Sequence, residues 1–87
     1  MNTIEWTKKA FRDLRKIGAR TTQNRIYAAV EELTAWPDCS GDIKRLQGSN
    51  DYRLRVGQYR VIFQIDQRGT PIIITITTVS IRNESTY

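Results

Sequence analysis

Apolar residues recur at every third or fourth position near the start of the chain, which is the spacing of one helix face. Ala10, Leu14 and Ile17 follow this spacing, and Thr7 before them is a suitable N-cap. Gly18 suits the position after a helix, because many helices end in a left-handed conformation that glycine adopts readily. The pattern therefore predicts a first helix that is capped by Thr7 and runs through Ile17.

A second stretch with helical spacing follows after a short link. We expect this helix to begin after Thr21 or Thr22 and to run to about Trp36, since Pro37 cannot continue it. Its apolar stripe consists of Ile26, Ala29, Val30 and Leu33. Two helices joined by so short a link form an antiparallel pair.

Most of the remaining chain alternates apolar and polar residues, which is the period of a β-strand. The segments predicted as strands are 43–47, 52–56, 59–66 and 71–81, with a short strand at 3–6 before the first helix. Gly57 and Gln58 form a two-residue turn, and glycine at its first position suits a type II′ hairpin. The isoleucines at 72–74 indicate that the last strand is central and buried on both faces.

These elements predict one α+β domain that spans residues 1–87. Its two N-terminal helices are expected to pack on one face of a small twisted antiparallel sheet, in the order β-α-α-β-β-β.

Strand alternation also assigns the hairpin side chains to two faces. Leu54, Val61 and their apolar neighbours face the helices, whereas the three arginines at 53, 55 and 60 face outward. The predicted turn places Arg55 opposite Arg60, where like charges destabilise a sheet slightly. We therefore expect loss of Arg55 to stabilise the free protein and to weaken binding of an anion that bridges the cluster. The alternative is that the arginines splay apart into water.

The charge balance favours an anionic partner. Fourteen Lys and Arg residues outnumber nine Asp and Glu, which gives a net charge of +5. Histidine is missing and Cys39 is the only cysteine, so an intrachain disulfide, a multi-cysteine metal site and a Cys-His nucleophile are excluded. No segment has the length of a membrane span or the core of a signal peptide, which predicts a cytoplasmic protein without a membrane partner.

Four quoted segments carry a resemblance to a known family. They are "IEWTKKAFRDLRKI", "RLQG", "YRLRVGQYRVIFQID" and "VSIRNESTY", and together they extend over essentially the whole chain. The sequence resembles the RelE/ParE superfamily of bacterial toxins, and within it the RelE-type mRNA interferases. The resemblance implies the RelE-like fold and an endonuclease that cuts mRNA in the ribosomal A site.

The resemblance also implies a set of site residues and a reaction. The residues implied are Arg60, Arg82 and Tyr87 for catalysis, and Lys44, Arg45, Arg53 and Arg55 for RNA binding. The reaction is attack of a ribose 2′-OH on the adjacent phosphorus, which requires no metal and no other cofactor. Some relatives carry lysines at the positions of Arg53 and Arg55. Arginine stays protonated in proteins, so a proton-accepting role cannot pass to these two residues.

The partners implied are a cognate antitoxin, the 70S ribosome with its mRNA, and operator DNA only through the antitoxin complex. Two other functions remain open on the same fold. One is a ParE-type inhibitor of DNA gyrase that cuts no RNA. The other is a non-catalytic module that binds nucleic acid or a protein partner.

Overall fold

A computed structural model of the protein describes residues 2–81. The elements in chain order are β1 (Thr3–Trp6), α1 (Lys8–Arg15), α2 (Arg20–Glu31), a 3-10 turn (Glu32–Ala35), β2 (Asp42–Arg45), β3 (Asp51–Val56), β4 (Tyr59–Asp66) and β5 (Ile73–Ile81). The five strands form one sheet in the order β1-β5-β4-β3-β2. The predicted α+β class is confirmed, and each of the four segments predicted as strands after the helices corresponds to an observed strand, one more than the order β-α-α-β-β-β contains.

The sheet is mixed rather than purely antiparallel. β1 runs parallel to β5, with Thr3 opposite Ile73 and Trp6 opposite Ile76, whereas the other three strand pairs are antiparallel. The helix pair between β1 and the remaining strands lets the chain return in the same direction, as a parallel pair requires. The prediction that the last strand is central is confirmed, because β5 lies between β1 and β4. The prediction that it is buried on both faces is wrong, because its buried residues are Ile74, Ile76 and Val79, whereas its other residues are half-buried or exposed.

The helices agree with the predicted pattern, with small shifts at their ends. Thr7 has the extended backbone of an N-cap, and its hydroxyl accepts a hydrogen bond from the N–H of Ala10 at 3.1 Å. α2 begins earlier than predicted, at Arg20, after an alanine that offers no side-chain cap. The side chain of Gln23 instead donates to the backbone oxygen of Ile17 and ties the first turn of α2 to the end of α1.

The core lies between the two helices and one face of the sheet. Its fully buried side chains include Ile26, Val30 and Leu33 from the helical stripe, and Leu54, Val61, Phe63, Ile74 and Ile76 from the strands. The three hairpin residues of this set are at positions that alternation assigned to the helix face. Within residues 2–81, the other face of the sheet carries no helix, and it is called the open face below.

The edge of β5 beyond Trp6 is covered by a side chain of α1. β1 ends opposite Ile76, so the N–H of Val79 lies past the last β1 residue. The Oδ2 of Asp13 accepts that N–H at 3.2 Å and also contacts the Nζ of Lys9 at 2.9 Å. Asp13 therefore supplies an acceptor where β1 has ended and fixes α1 against the end of β5.

The environment of Asp13 favours its ionised form. Burial raises its pKa, but the hydrogen bonds from Lys9 and Val79 and the charges of Lys9 and Lys16 together outweigh burial. The pKa of Asp13 therefore lies below its ordinary value of 3.8.

Replacement of Asp13 by Ala is expected to lower the free energy of unfolding by about 1–2 kcal/mol, because a charge-assisted hydrogen bond to the sheet is lost. Since the folded state has the lower pKa, this contribution is complete above about pH 4 and disappears as the pH falls further. Urea denaturation at neutral and acidic pH measures both effects. Asp13→Asn keeps an acceptor for Val79, so it should lose less stability at neutral pH. An acid-induced loss of stability as large in Asp13→Asn as in the wild type would contradict the assignment to Asp13.

Candidate functional site

The β3–β4 hairpin has the register that its turn predicts. Val56 pairs with Tyr59, Arg55 lies opposite Arg60, and Arg53 lies opposite Ile62. Gly57 has a φ of 58°, and no non-glycine residue in the described part of the chain has a positive φ. A type I′ turn would need positive φ at both central residues, so the positive φ at Gly57 alone excludes type I′ and agrees with the predicted type II′ turn.

Two rows of side chains cross the open face from β2 to β5. One row consists of Asp42, Arg55, Arg60 and Ser80, and the next consists of Lys44, Arg53, Ile62 and Thr78. Neighbouring strands lie about 4.8 Å apart, so each row brings its side chains within reach of one another. The three arginines at 53, 55 and 60 form one cluster, which we call the arginine face.

The arginine face differs from the prediction in one respect, since it includes an acidic side chain. The Nη1 of Arg53 lies 3.2 Å from both the Oδ1 and the backbone oxygen of Asp42. The Nη1 of Arg55 lies 3.9 Å from the Oδ2 of the same carboxylate. The expectation that loss of Arg55 stabilises the free protein therefore no longer follows, because the folded chain already places an anion between two of its arginines.

The three arginines differ in burial. The side chain of Arg53 is only 11% exposed, whereas that of Arg55 is 41% exposed. Arg60 is half-buried between Arg55 and Ser80, and its Nε is fully buried. The guanidinium groups of Arg53 and Arg60 are thus held within the face, and that of Arg55 reaches solvent.

Lys44 and Arg45 do not point to the same side of the sheet. Lys44 lies opposite Arg53 on the open face, which agrees with its predicted grouping. Arg45 lies opposite Tyr52, on the face that the helices cover, and its Nη2 contacts the Oδ1 of Asn50 at 3.3 Å. Arg45 is therefore not part of the arginine face. The predicted catalytic residues Arg82 and Tyr87 lie outside the described residues.

Sequence reasoning missed two charged residues near this site. The sequence pattern assigns Asp42 to a loop, and its place opposite Arg55 depends on the pairing of β2 with β3. Arg25 of α2 lies at the hairpin turn, with its Nη1 3.6 Å from where a Cβ on Gly57 would be. A charge at this spacing on a helix is ordinary, so no signal in the sequence distinguishes Arg25.

A second positive region lies on the helix side of the molecule. Lys8, Arg12, Arg15 and Lys16 border a shallow groove on α1, with the half-exposed ring of Phe11 between them. α1 packs on the covered face of the sheet, so this region and the arginine face point in different directions. The two regions cannot contact one flat surface at the same time.

Two classes of site do not occur within residues 2–81. No group of three or more His, Cys, Asp or Glu side chains there is arranged to hold a metal ion. None of the helices in that range is both long and apolar enough to cross a membrane.

The fold and the arginine face together define a small basic α+β protein of the RelE-like class. The family described as "ParE toxin of type II toxin-antitoxin system, parDE" matches residues 4–84. The chain therefore belongs to this toxin family, within the RelE/ParE superfamily. A comparison with curated proteins gave no match.

Three solved structures with the same fold are described as toxin–antitoxin complexes. The RelBE2 complex of Mycobacterium tuberculosis contains a chain with 32% identity and a TM-score of 0.62, over 92% of this chain and 96% of that one. For the RelB-RelE complex of Methanococcus jannaschii the identity is 27% and the TM-score is 0.73, and the match covers 95% of this chain and 94% of that one. For the RelE-RelB complex of Pyrococcus horikoshii OT3 the identity is 22% and the TM-score is 0.78, and the match covers 95% of this chain and 97% of that one.

The two arginines that contact Asp42 should differ in their effect on stability. Arg53→Ala is expected to lower the free energy of unfolding by about 1–2 kcal/mol, because it removes a largely buried side chain together with its hydrogen bond to the backbone oxygen of Asp42. Arg55→Ala should change it by less than about 0.5 kcal/mol, because an exposed ion pair contributes little. Urea denaturation of both variants measures the difference. A larger loss for Arg55→Ala than for Arg53→Ala would contradict the geometry.

Proposed function

We propose that this protein is a ribosome-dependent endoribonuclease that cuts mRNA in the ribosomal A site and so stops translation. The observation that carries the proposal is the position of Arg60. It lies half-buried on β4, the middle strand of the five-stranded sheet, directly opposite Arg55. A guanidinium group held in this way can stabilise negative charge on a phosphate without first reorganising.

In the proposed reaction one bond to phosphorus forms and another breaks. The ribose 2′-oxygen attacks the adjacent phosphorus and loses its proton, while the 5′-oxygen of the next nucleotide leaves and gains one. The products are a 2′,3′-cyclic phosphate and a free 5′-hydroxyl. Negative charge grows on the non-bridging oxygens in the transition state. Arg60 and Arg82 are proposed to stabilise that charge, and each well-placed donor contributes about 3–4 kcal/mol by analogy with oxyanion holes.

The remaining residues are proposed to hold the RNA. Arg53, Arg55 and Lys44 contact neighbouring phosphates along the open face, which is sequence-independent binding. In the described part of the chain, the ring-bearing strand residues Trp6, Tyr52, Tyr59 and Phe63 belong to the covered face and its core. Base stacking is therefore assigned to Tyr87. The ordinary pKa of a tyrosine is near 10, so its hydroxyl is protonated at neutral pH and is a poor proton acceptor there.

The ribosome is proposed to supply part of the catalysis. Attack requires the 2′-oxygen, the phosphorus and the leaving oxygen to lie in line, and holding such a geometry can contribute a large share of a rate enhancement. Because the chain has no histidine, catalysis depends more strongly on this alignment. An mRNA codon held in the A site fulfils this need, whereas free RNA does not.

A cognate antitoxin is the proposed protein partner, since similar folds occur in solved structures described as antitoxin–toxin complexes. Acidic residues of such a partner can neutralise the arginine face. Operator DNA is proposed to bind the complex through the antitoxin.

Inhibition of DNA gyrase is the second candidate function. The family whose description matches residues 4–84 is that of the ParE toxins, which favours this alternative. Gyrase inhibition requires a protein-binding surface and no phosphodiester cleavage. The arginine face favours the nuclease, because its donors match phosphate oxygens.

Primer extension on ribosomes programmed with a defined mRNA tests the proposal. The wild type should produce an A-site cut. Arg60→Ala and Arg82→Ala should each slow cleavage by about 100- to 1,000-fold, because a transition-state donor is lost. The control is Arg68→Ala, which removes the same charge from an exposed side chain past the end of β4 and should cut as the wild type does. The same mRNA without ribosomes should remain intact.

Two results would contradict the nuclease proposal. One is the lack of an A-site cut by a folded wild type that blocks DNA supercoiling by gyrase, which would establish the second candidate. The other is equal cutting by wild type and Arg60→Ala, which would move the site away from the arginine face.

A further inference from the structure

The carboxylate of Asp42 lies where the arginine face would bind an anion. It contacts the Nη1 of Arg53 at 3.2 Å and the Nη1 of Arg55 at 3.9 Å. Carboxylate and phosphate oxygens are alternative acceptors for the same guanidinium donors. An RNA phosphate that enters between Arg53 and Arg55 must therefore take these donors from Asp42.

The backbone of the chain brings Asp42 to this position. β2 begins at Asp42, directly opposite Arg55, and Gly41 precedes it. A Cβ on Gly41 would lie 2.7 Å from the Cδ1 of Leu54, a buried core residue. Only glycine thus allows the start of β2 to lie this close to β3 without a shift of the core. The approach of Asp42 to the arginines follows from this tight packing.

The contacts of Asp42 are arranged so that its carboxylate can leave. Its side chain is 58% exposed, and an exposed ion pair is weak. Arg53 also donates to the backbone oxygen of Asp42 at 3.2 Å. That bond persists when the carboxylate turns away, so Arg53 keeps its place on the face.

We propose that Asp42 is an internal competitor for RNA phosphate, which occupies the arginine face in the free toxin and is displaced when RNA binds. The inference rests on the proposed nuclease function, because it takes RNA as the ligand of this face. Its consequence is selectivity. Loose RNA must displace a carboxylate that is already in contact, whereas RNA held against the face by the ribosome does so at a high local concentration.

Binding of a labelled single-stranded RNA with 2′-O-methyl groups tests this inference, because the probe lacks the attacking hydroxyl and reports binding alone. Asp42→Asn should bind it about threefold to fivefold more tightly than the wild type, the factor that corresponds to one exposed ion pair. The slope of log affinity against log salt should also steepen by about 0.7, which is one additional phosphate contact with a single strand.

Asp66→Asn is the matched control. It also removes one negative charge from the sheet, but Asp66 lies at the end of β4 away from the hairpin turn, where it contacts Arg68 at 3.1 Å. Hydrogen bonds from Arg68 lower the pKa of Asp66 to about 2, so this carboxylate is ionised in the assay. Asp66→Asn should leave affinity within about 1.5-fold of the wild type, as for a distant charge screened by salt. If both variants bound the RNA more tightly by the same factor, the change in net charge alone would explain the gain, and the proposal would be overturned.

A double-mutant cycle identifies the donors involved. In the Arg55→Gln background, Asp42→Asn should tighten binding clearly less than in the wild type. An equal gain in both backgrounds would overturn the proposal. Weaker binding by folded Asp42→Asn would also overturn it, because Asp42 would then hold the arginines in place for RNA.

Asp42→Ser removes the same charge and replaces Asp42→Asn in these measurements if Asp42→Asn does not fold. If A-site cleavage fails but Asp42→Asn binds more tightly, the nuclease proposal falls and the competitor remains.

Discussion

The pairing of β3 with β4 is the interaction on which the rest of the structure depends. Its register places Leu54, Val61 and Phe63 in the core and sends Arg53, Arg55 and Arg60 to the open face. A slip of β3 by one residue against β4 would turn Leu54 to the open face and bury the guanidinium groups of Arg53 and Arg55. The tight turn at Gly57 and the burial of the apolar set therefore fix the site and the fold together.

Electrostatic repulsion on the open face is reduced by the chain itself. Arg55 and Arg60 lie opposite each other, but Asp42 contacts Arg53 and Arg55 from the neighbouring strand. The face is therefore stable enough to exist without a ligand and still carries more positive than negative charge. This arrangement lets the toxin fold before it meets the proposed RNA ligand or antitoxin.

Local patterns in the sequence predicted the hairpin, and long-range pairing decided what they missed. The bounds of β4 and the opposition of Arg55 and Arg60 follow from alternation around a two-residue turn, so both were predicted correctly. The position of Asp42 depends on how a separate edge strand pairs across a loop, which alternation within β3 cannot give. Arg45 differs from Lys44 because neighbours on one strand point to opposite faces. The parallel pairing of β1 likewise joins distant segments of the chain, as the register of Thr3 with Ile73 shows.

The central claim is that the open sheet face, rather than the cationic groove of α1, meets the RNA. A cryo-electron microscopy structure of the toxin on a ribosome tests it most directly, with an mRNA that carries a 2′-O-methyl group at the cut site to prevent cleavage. The account predicts the guanidinium group of Arg60 within hydrogen-bond distance of the scissile phosphate, and the Asp42 carboxylate turned away from Arg55. An mRNA that lies along α1, with the arginine face open to solvent, would contradict it.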